Sequence, residues 1–229
     1  MARLPRIVIP DIPHHVTQRG NRREQTFFEE GDYRLYLDLL ADAARRARAE
    51  IWSYCLMPNH VHIIITPADE DGLWRTFRTV HRHYTGYINA RMRVTGHWWQ
   101  GRFGSVAMDE VHFINALRYV ALNPVRARLV ERAQDWQWSS TTALVEEKDD
   151  SVVTVGPALE RVGKFAAFLG ERFDEDHAYG ALRKAERIGR PIGSAQWLEQ
   201  LQEKTGKRLI AEKPGPKPKR DRGLLQLSP

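Results

Sequence analysis

IWSYCLMPNHVHIIIT, residues 51–66, reads as two β-strands folded back on each other. Ile51 to Met57 and His60 to Thr66 are rich in β-branched and aromatic residues, and Pro58-Asn59 between them is turn chemistry. Upstream, Asp32 is placed to cap a helix that carries Leu35, Leu39, Leu40 and Ala43 on one stripe and ends near Glu50. Before that helix, His14 to Arg19 alternates as a strand, with Val16 and Gln18 on one face and His15, Thr17 and Arg19 on the other. Downstream, Trp74, Phe77, Val80, Tyr84 and Tyr87 recur at helical spacing between Leu73 and about Met92. Arg102 to Met108 forms a fourth strand. Asp109 or Glu110 then opens a helix expected to stop at Asn123, because Pro124 disfavours helix in the residue before it. Strand, helix, strand, strand, helix, strand, helix is the split β-α-β order of a ferredoxin-like (RRM-like) α+β fold, an antiparallel sheet with helices on one face.

After about Ser140 the character changes. Glu146-Glu147-Lys148-Asp149-Asp150 is a charged connector, and helical stretches follow near Ala158–Leu169 and Glu175–Arg187. Gly189-Arg190-Pro191 breaks the pattern, and Ser194 caps a further helix running to a Gly206 stop. From Lys213 the chain (KPGPKPKRDR) is too rich in Pro and Lys to build a core and reads as a basic arm. The expected division is a catalytic domain over 1–140, a helical C-terminal extension over 141–212 and a flexible basic tail over 213–229.

The 229 residues are 42% hydrophobic, enough to fill a core, and carry a formal net charge of +6, which favours a polyanionic partner. The single cysteine, Cys55, allows neither an internal disulfide nor a Cys-based zinc cage. No apolar run has the ~20 residues of a membrane span, and no signal-peptide core follows the N-terminus. These features predict a cytoplasmic protein that makes no membrane contact.

Three signals carry chemistry. In a strand, alternate residues share a face, so His60 and His62 project together and form two corners of a metal site. An isolated His-x-His also arises by chance. Tyr119 and Asn123 stand one turn apart on a helix, which places a phenol nucleophile beside an amide oxygen suited to be a third ligand. The same two residues also read as a tyrosine packed on the sheet and an asparagine closing the helix. Between Leu73 and Met108 there is no Asp or Glu, but there are Arg75, Arg78, Arg82, Arg91, Arg93 and Arg102 among Trp and Tyr side chains. A cationic groove with aromatic platforms suits single-stranded nucleic acid. The spacing of Trp74, Phe77 and Tyr84 favours core, whereas the Arg75-Arg78-Arg82 row and the Gln100-Gly101-Arg102 turn favour DNA contact. Arg19, Arg22 and Arg23 add to that charge.

The stretches HVTQRGNRR (15–23), LMPNHVH (56–62), QGRF (100–103) and YVALNPVRA (119–127) resemble the REP-associated tyrosine transposases, bacterial relatives of the small insertion-sequence transposases. The resemblance covers about Pro5 to Ser139 in matching order, and the GRPIGS segment (189–194) resembles that family's C-terminal extension. It implies a ferredoxin-like catalytic domain with His60 and His62 as metal ligands, Asn123 as third ligand and Tyr119 as nucleophile. The expected DNA contacts are Arg19, Arg22, Arg23, Arg75, Arg78, Arg82, Gln100, Arg102 and Arg126. It also implies Mg²⁺ or Mn²⁺ as cofactor, although histidine ligation alone suits Zn²⁺ as well. The implied partners are single-stranded DNA hairpins of repeated extragenic palindromes, cut by a monomer or homodimer associated with the nucleoid. Strand rejoining would conserve bond energy, so no nucleotide cofactor is needed, and no GxxxxGK[ST] loop is present.

Other readings compete. A two-tyrosine replication initiator would need a second tyrosine a turn from Tyr119, and His112 to Asn123 holds none. A relaxase would complete its metal site with a third histidine where Asn123 stands. A catalytically inactive nucleic-acid-binding regulator on the same fold needs no nucleophile.

Overall fold

The strands of the central hairpin are β2 (Ala49–Met57) and β3 (His60–Pro67), paired antiparallel about Pro58-Asn59. In the computed structural model, which describes residues 6–171 and 174–209, β3 pairs in turn with β1 (His14–Arg19), and β1 with β4 (Gly104–Ala107). The sheet order is β2-β3-β1-β4, antiparallel throughout, as in a ferredoxin-like fold. Directly paired residues share a face. His15, Thr17 and Arg19 therefore lie on the side of Ile64, His62 and His60, while Val16 and Gln18 lie with Ile63 and Val61.

Both faces of the sheet are buried. Helices α1 (Glu30–Ala47) and α2 (Gly72–Met92) pack on each other. Phe103, one residue before Gly104, points to the face they cover and meets Phe77 of α2 with ring centroids 4.9 Å apart. Helix α3 (Glu110–Arg126) lies on the opposite, histidine-bearing face, where Tyr119 meets the His62 ring edge-on at 5.2 Å. Two helices thus cover one face as the strand–helix order requires, and α3 adds a layer on the other.

Several boundaries differ from the sequence reading. Asp32 is not the cap of α1 but sits at its third position, where its carboxylate accepts from the Phe28 and Glu29 amides. Arg48, in the left-handed region at φ 53°, ends α1 at Ala47, and β2 starts one residue later. Helix α3 does not stop at Asn123 but runs through Pro124 to Arg126. Pro124 falls in the last turn of α3 and is buried with Val120, Ala121 and Asn123, so packing outweighs the local preference of the pre-proline residue. The single helix expected near Ala158–Leu169 is two, α5 (Gly156–Val162) and α6 (Phe165–Gly170), separated at Gly163 with φ +66°.

A five-residue α4 (Thr141–Val145) precedes these, and α7 (Glu175–Ile188) and α8 (Ala195–Thr205) follow. The Ser194 hydroxyl accepts from the Trp197 amide and Gly206 closes α8, as the sequence predicts. Between α7 and α8, Ile192 pairs beside Met108: its amide donates to the Ala107 carbonyl at 2.9 Å, and its carbonyl accepts from Asp109 at 3.1 Å. That pairing extends the ladder at the end of edge strand β4. One hydrophobic core continues from the sheet into Leu144, Val155, Phe165, Phe168 and Tyr179. The basic tail expected over 213–229 lies outside the described residues. No helix among the described residues is long and apolar enough to cross a membrane.

His14 ties the start of β1 to the segment before it. It is fully buried, its Nδ1 lies 2.7 Å from the Ile12 carbonyl, and its Nε2 accepts from the Ile9 amide at 3.2 Å. Burial lowers its pKa to about 4, against a smaller raising effect of the Ile12 carbonyl. In the unfolded chain the ring titrates near ~6.5, so between these values the unfolded state binds more protons. Stability therefore falls as pH drops from ~6.5 towards 4, with about 3 kcal/mol expected from this group. Urea unfolding at pH 7 and pH 4.5 should show a steeper loss for wild type than for His14→Gln. Equal pH dependence of the two would assign the acid sensitivity to other groups.

Candidate active site

The site sits where β1 and β3 run side by side beneath α3. His60 and His62 project to one face, with ring centroids 4.9 Å apart and planes at 84°. His60 Nδ1 stands 2.6 Å from Asn59 Oδ1, while the Asn59 amide nitrogen donates to the Arg23 carbonyl at 3.0 Å. His62 is buried, with Nδ1 3.0 Å from His15 Nε2, and its Nε2 has no partner among the described residues. Burial lowers the His60 pKa to about 4, helped by the Arg19 charge and opposed by Glu186. Burial also holds His62 well below its usual value, with further lowering from His60, His15, Arg19 and Arg126. Both imidazoles are therefore neutral at physiological pH, the form that binds metal.

His15, His62 and Glu186 bring one ligand atom each within 4.8 Å of one another. Two imidazoles and a carboxylate are a donor set that could hold a divalent metal ion, and the unpartnered, buried His62 Nε2 fits that role. Tyr119 lies against this group. Its ring is edge-on to His62 and at 4.9 Å from Tyr179 of α7, with the Arg126 guanidinium 5.1 Å and that of Arg183 5.9 Å from its centre. α7 thus folds back over the α3 side of the sheet.

His60, His62 and Tyr119 open onto one cleft of about 700 Å³. Arg6, Arg19, Arg102 and Arg183 also line it, against a single carboxylate among the described residues, Glu186. Burial and the neighbouring Arg102 charge lower the Arg6 pKa to about 10. Such a field favours a polyanion. The turn that carries Gln100 and Arg102 is held to β1 by two bonds, Gln100 amide to the Arg19 carbonyl at 2.8 Å and Gln18 Nε2 to the Gly101 carbonyl at 3.3 Å.

Of the residues singled out in the sequence, the cleft brings together His60, His62, Tyr119, Arg19, Gln100 and Arg102. Asn123 is buried one turn along α3 from Tyr119 and is not among the lining residues. Arg126 stands over the Tyr119 ring, and Arg22 and Arg23 follow β1 in a short 3₁₀ turn. Arg75, Arg78 and Arg82 are on α2, the helix that covers the other face of the sheet. Arg75 is engaged by Asp69 at 2.6 Å, and Arg78 stacks over Trp74 at 4.8 Å. Sequence reasoning missed His15, Glu186, Arg6 and Arg183 as parts of the site. Only His15 left a usable signal, since it alternates on one face of β1 with Thr17 and Arg19.

The fold and the cleft define a class: an α+β protein that presents a tyrosine and paired neutral imidazoles to a polyanion. The chain belongs to the IS200-like transposases, whose family model matches residues 9–123, just over half of the sequence. It is accordingly an enzyme of DNA transposition, and it acts on DNA. No curated protein sequence matches the chain. A solved structure of a REP-associated tyrosine transposase bound to a REP hairpin shares the fold, with 23% identity and a TM-score of 0.55 over 67% of this chain and 92% of that one. A putative transposase from Deinococcus radiodurans is matched at 18% identity and a TM-score of 0.37, over 52% of this chain and 95% of that one.

Proposed function

We propose that this protein is a REP-associated tyrosine transposase that cuts and rejoins single-stranded palindromic DNA, folded as a hairpin, through a 5′-phosphotyrosine. The observation that carries the reading is the edge-on contact of Tyr119 with His62 inside an arginine-lined cleft. In the reaction the Tyr119 oxygen bonds to the scissile phosphorus as the bond from phosphorus to the 3′ oxygen breaks. The phenol loses its proton, and the departing 3′ oxygen gains one. Attack by that 3′-OH, or by another, reverses the step and joins strands with no external energy source.

His60 and His62 are the proposed ligands of a Mg²⁺ or Mn²⁺ ion, with Asn123, one turn from Tyr119, as the third. When bound, such an ion supplies Lewis-acid stabilisation of charge on the phosphate. Arg19, Gln100 and Arg102 would hold the strand in the cleft, and Arg126 would orient the Tyr119 ring. Arg22, Arg23, Arg75, Arg78 and Arg82 are proposed to contact DNA outside the cleft. The proposed catalytic unit is 1–140, acting as a monomer or homodimer at the nucleoid.

The test incubates the full chain with labelled hairpins from the repeated palindromes of its own genome, with Mn²⁺ or with EDTA, followed by a denaturing protein gel. A labelled covalent adduct with Mn²⁺ and none with EDTA is the expected result. Tight hairpin binding without an adduct, with Mn²⁺ or Mg²⁺, would instead establish a DNA-binding role without catalysis.

A further inference from the structure

We infer that Glu186, from the C-terminal extension, acts through His15 as a positioning residue that fixes the tautomer of His62 and points its Nε2 lone pair at the metal. The inference rests on the reading of His62 as a ligand and adds to it His15, from the HVTQRGNRR stretch, and Glu186, from outside every quoted motif.

A carboxylate can only accept. Glu186 Oε1 stands 3.0 Å from His15 Nδ1, off the line of a full hydrogen bond, and neither atom has another partner among the described residues. The proton that suits this contact is therefore on His15 Nδ1. In a neutral imidazole the other nitrogen is then an acceptor, so His15 Nε2 carries a lone pair. That atom lies 3.0 Å from His62 Nδ1, in a stack of nearly parallel rings, and the hydrogen between them must come from His62. With Nδ1 protonated, His62 Nε2 holds the lone pair. It is buried and unpartnered, and so is available as a ligand. Reversing the chain would put a hydrogen on His62 Nε2 and two lone pairs face to face between His15 and Glu186.

His60 is set the same way by a different device. The Asn59 amide nitrogen is committed to the Arg23 carbonyl, so Oδ1 faces His60 Nδ1 at 2.6 Å and takes its hydrogen. Both imidazoles then offer Nε2. Hydrogen-bonded carboxylate partners behind a ligating histidine orient the ring and raise its basicity. Here the carboxylate comes from α7, outside the 9–123 span that the family model matches, so the extension becomes part of the metal site.

Two measurements on the full-length protein test this. Long-range ¹H–¹⁵N correlation spectra of the metal-free chain read which His62 nitrogen bears hydrogen; Nδ1–H is expected, and Nε2–H would overturn the relay whatever the enzyme does. Titration with Mn²⁺ alone, followed by its free-ion EPR signal, should show about 10–100-fold weaker binding for Glu186→Ala and a smaller loss for Glu186→Gln. Amide spectra of the variants confirm that each has folded. Wild-type affinity and an unchanged His62 tautomer in both variants would overturn the proposal. A change in the number of nitrogen and oxygen ligands on Mn²⁺ would also overturn it, by making Glu186 a direct ligand. If wild type itself binds no Mn²⁺, the metal reading of the site fails, and the tautomer still decides the relay.

Discussion

Tyr119→Phe is expected to abolish the covalent protein–DNA adduct while leaving the fold and hairpin binding in place. The ring, not the hydroxyl, does the structural work at this position. It packs edge-on against His62 and His15, lies against Tyr179, and sits beneath Arg126. All of those contacts survive in phenylalanine. The hydroxyl makes no hydrogen bond among the described residues, so its removal leaves no buried partner unsatisfied and should change stability by less than ~1 kcal/mol. Chemistry is different, because in the proposed reaction the tyrosine oxygen bonds to phosphorus and phenylalanine offers none. A nucleophile that is lost rather than weakened removes the intermediate itself, so adduct should fall below detection, at least ~10³-fold. Gel trapping reads the adduct, and a mobility shift of the same hairpin reads binding. If the phenylalanine variant still forms the adduct, Tyr119 is not the nucleophile; if both readouts fall with the melting temperature, the position is structural.

How much of the fold and site is legible in the chain depends on how far each interaction reaches along it. Period-two alternation is local, so neighbouring residues alone place His60 and His62 on one face. The caps of α8 at Ser194 and Gly206 and the full span of α2 are likewise written in neighbouring residues. Gly20 in the HVTQRGNRR stretch has a local cause that only coordinates reveal: a Cβ there would come within 2.4 Å of the Glu24 carbonyl and 2.6 Å of the Thr26 methyl. The site's other half is non-local. His15 reaches His62 through the β1–β3 register, and Glu186 arrives on a helix whose docking the sequence does not specify. The arginine row of α2 is the converse case, in which a run continuous along the chain does not make one surface. Because Phe77, Val80 and Tyr84 must bury, Arg78 and Arg82 are forced to the outer side of that helix. That side faces away from a sheet whose other face holds the cleft. Arg102 belongs to the same acid-free run, yet its turn brings it to the cleft.

The largest expected loss of stability comes from Asp32→Ala, far from the chemistry. The Asp32 side chain has no exposed surface, and it accepts from the Phe28 amide at 2.8 Å, from the Glu29 amide at 3.3 Å and from both terminal nitrogens of Arg91. Arg91 is on α2, so one carboxylate closes the first turn of α1 and clamps the two helices that cover the sheet opposite the cleft. The hydrogen bond to Asp32 is the main reason that the Arg91 pKa lies above its usual value. Truncation strands two helix-start amides and a guanidinium whose other acidic partner, Glu29, is largely exposed. Breaking a buried pair from one side costs ~3–5 kcal/mol, a large share of the ~5–15 kcal/mol that holds a domain together. Asp32→Asn keeps an acceptor for the amides and should lose less, which separates the cap from the ion pair. Asp32→Ala combined with Arg91→Ala should cost less than the sum of the two single changes, since each single change leaves a partner stranded. Urea unfolding at pH 7 measures all four. A loss under ~1 kcal/mol for Asp32→Ala would mean that the pair's attraction only offsets its desolvation, and that packing of Tyr36, Leu40, Phe77 and Tyr84 alone holds the layer.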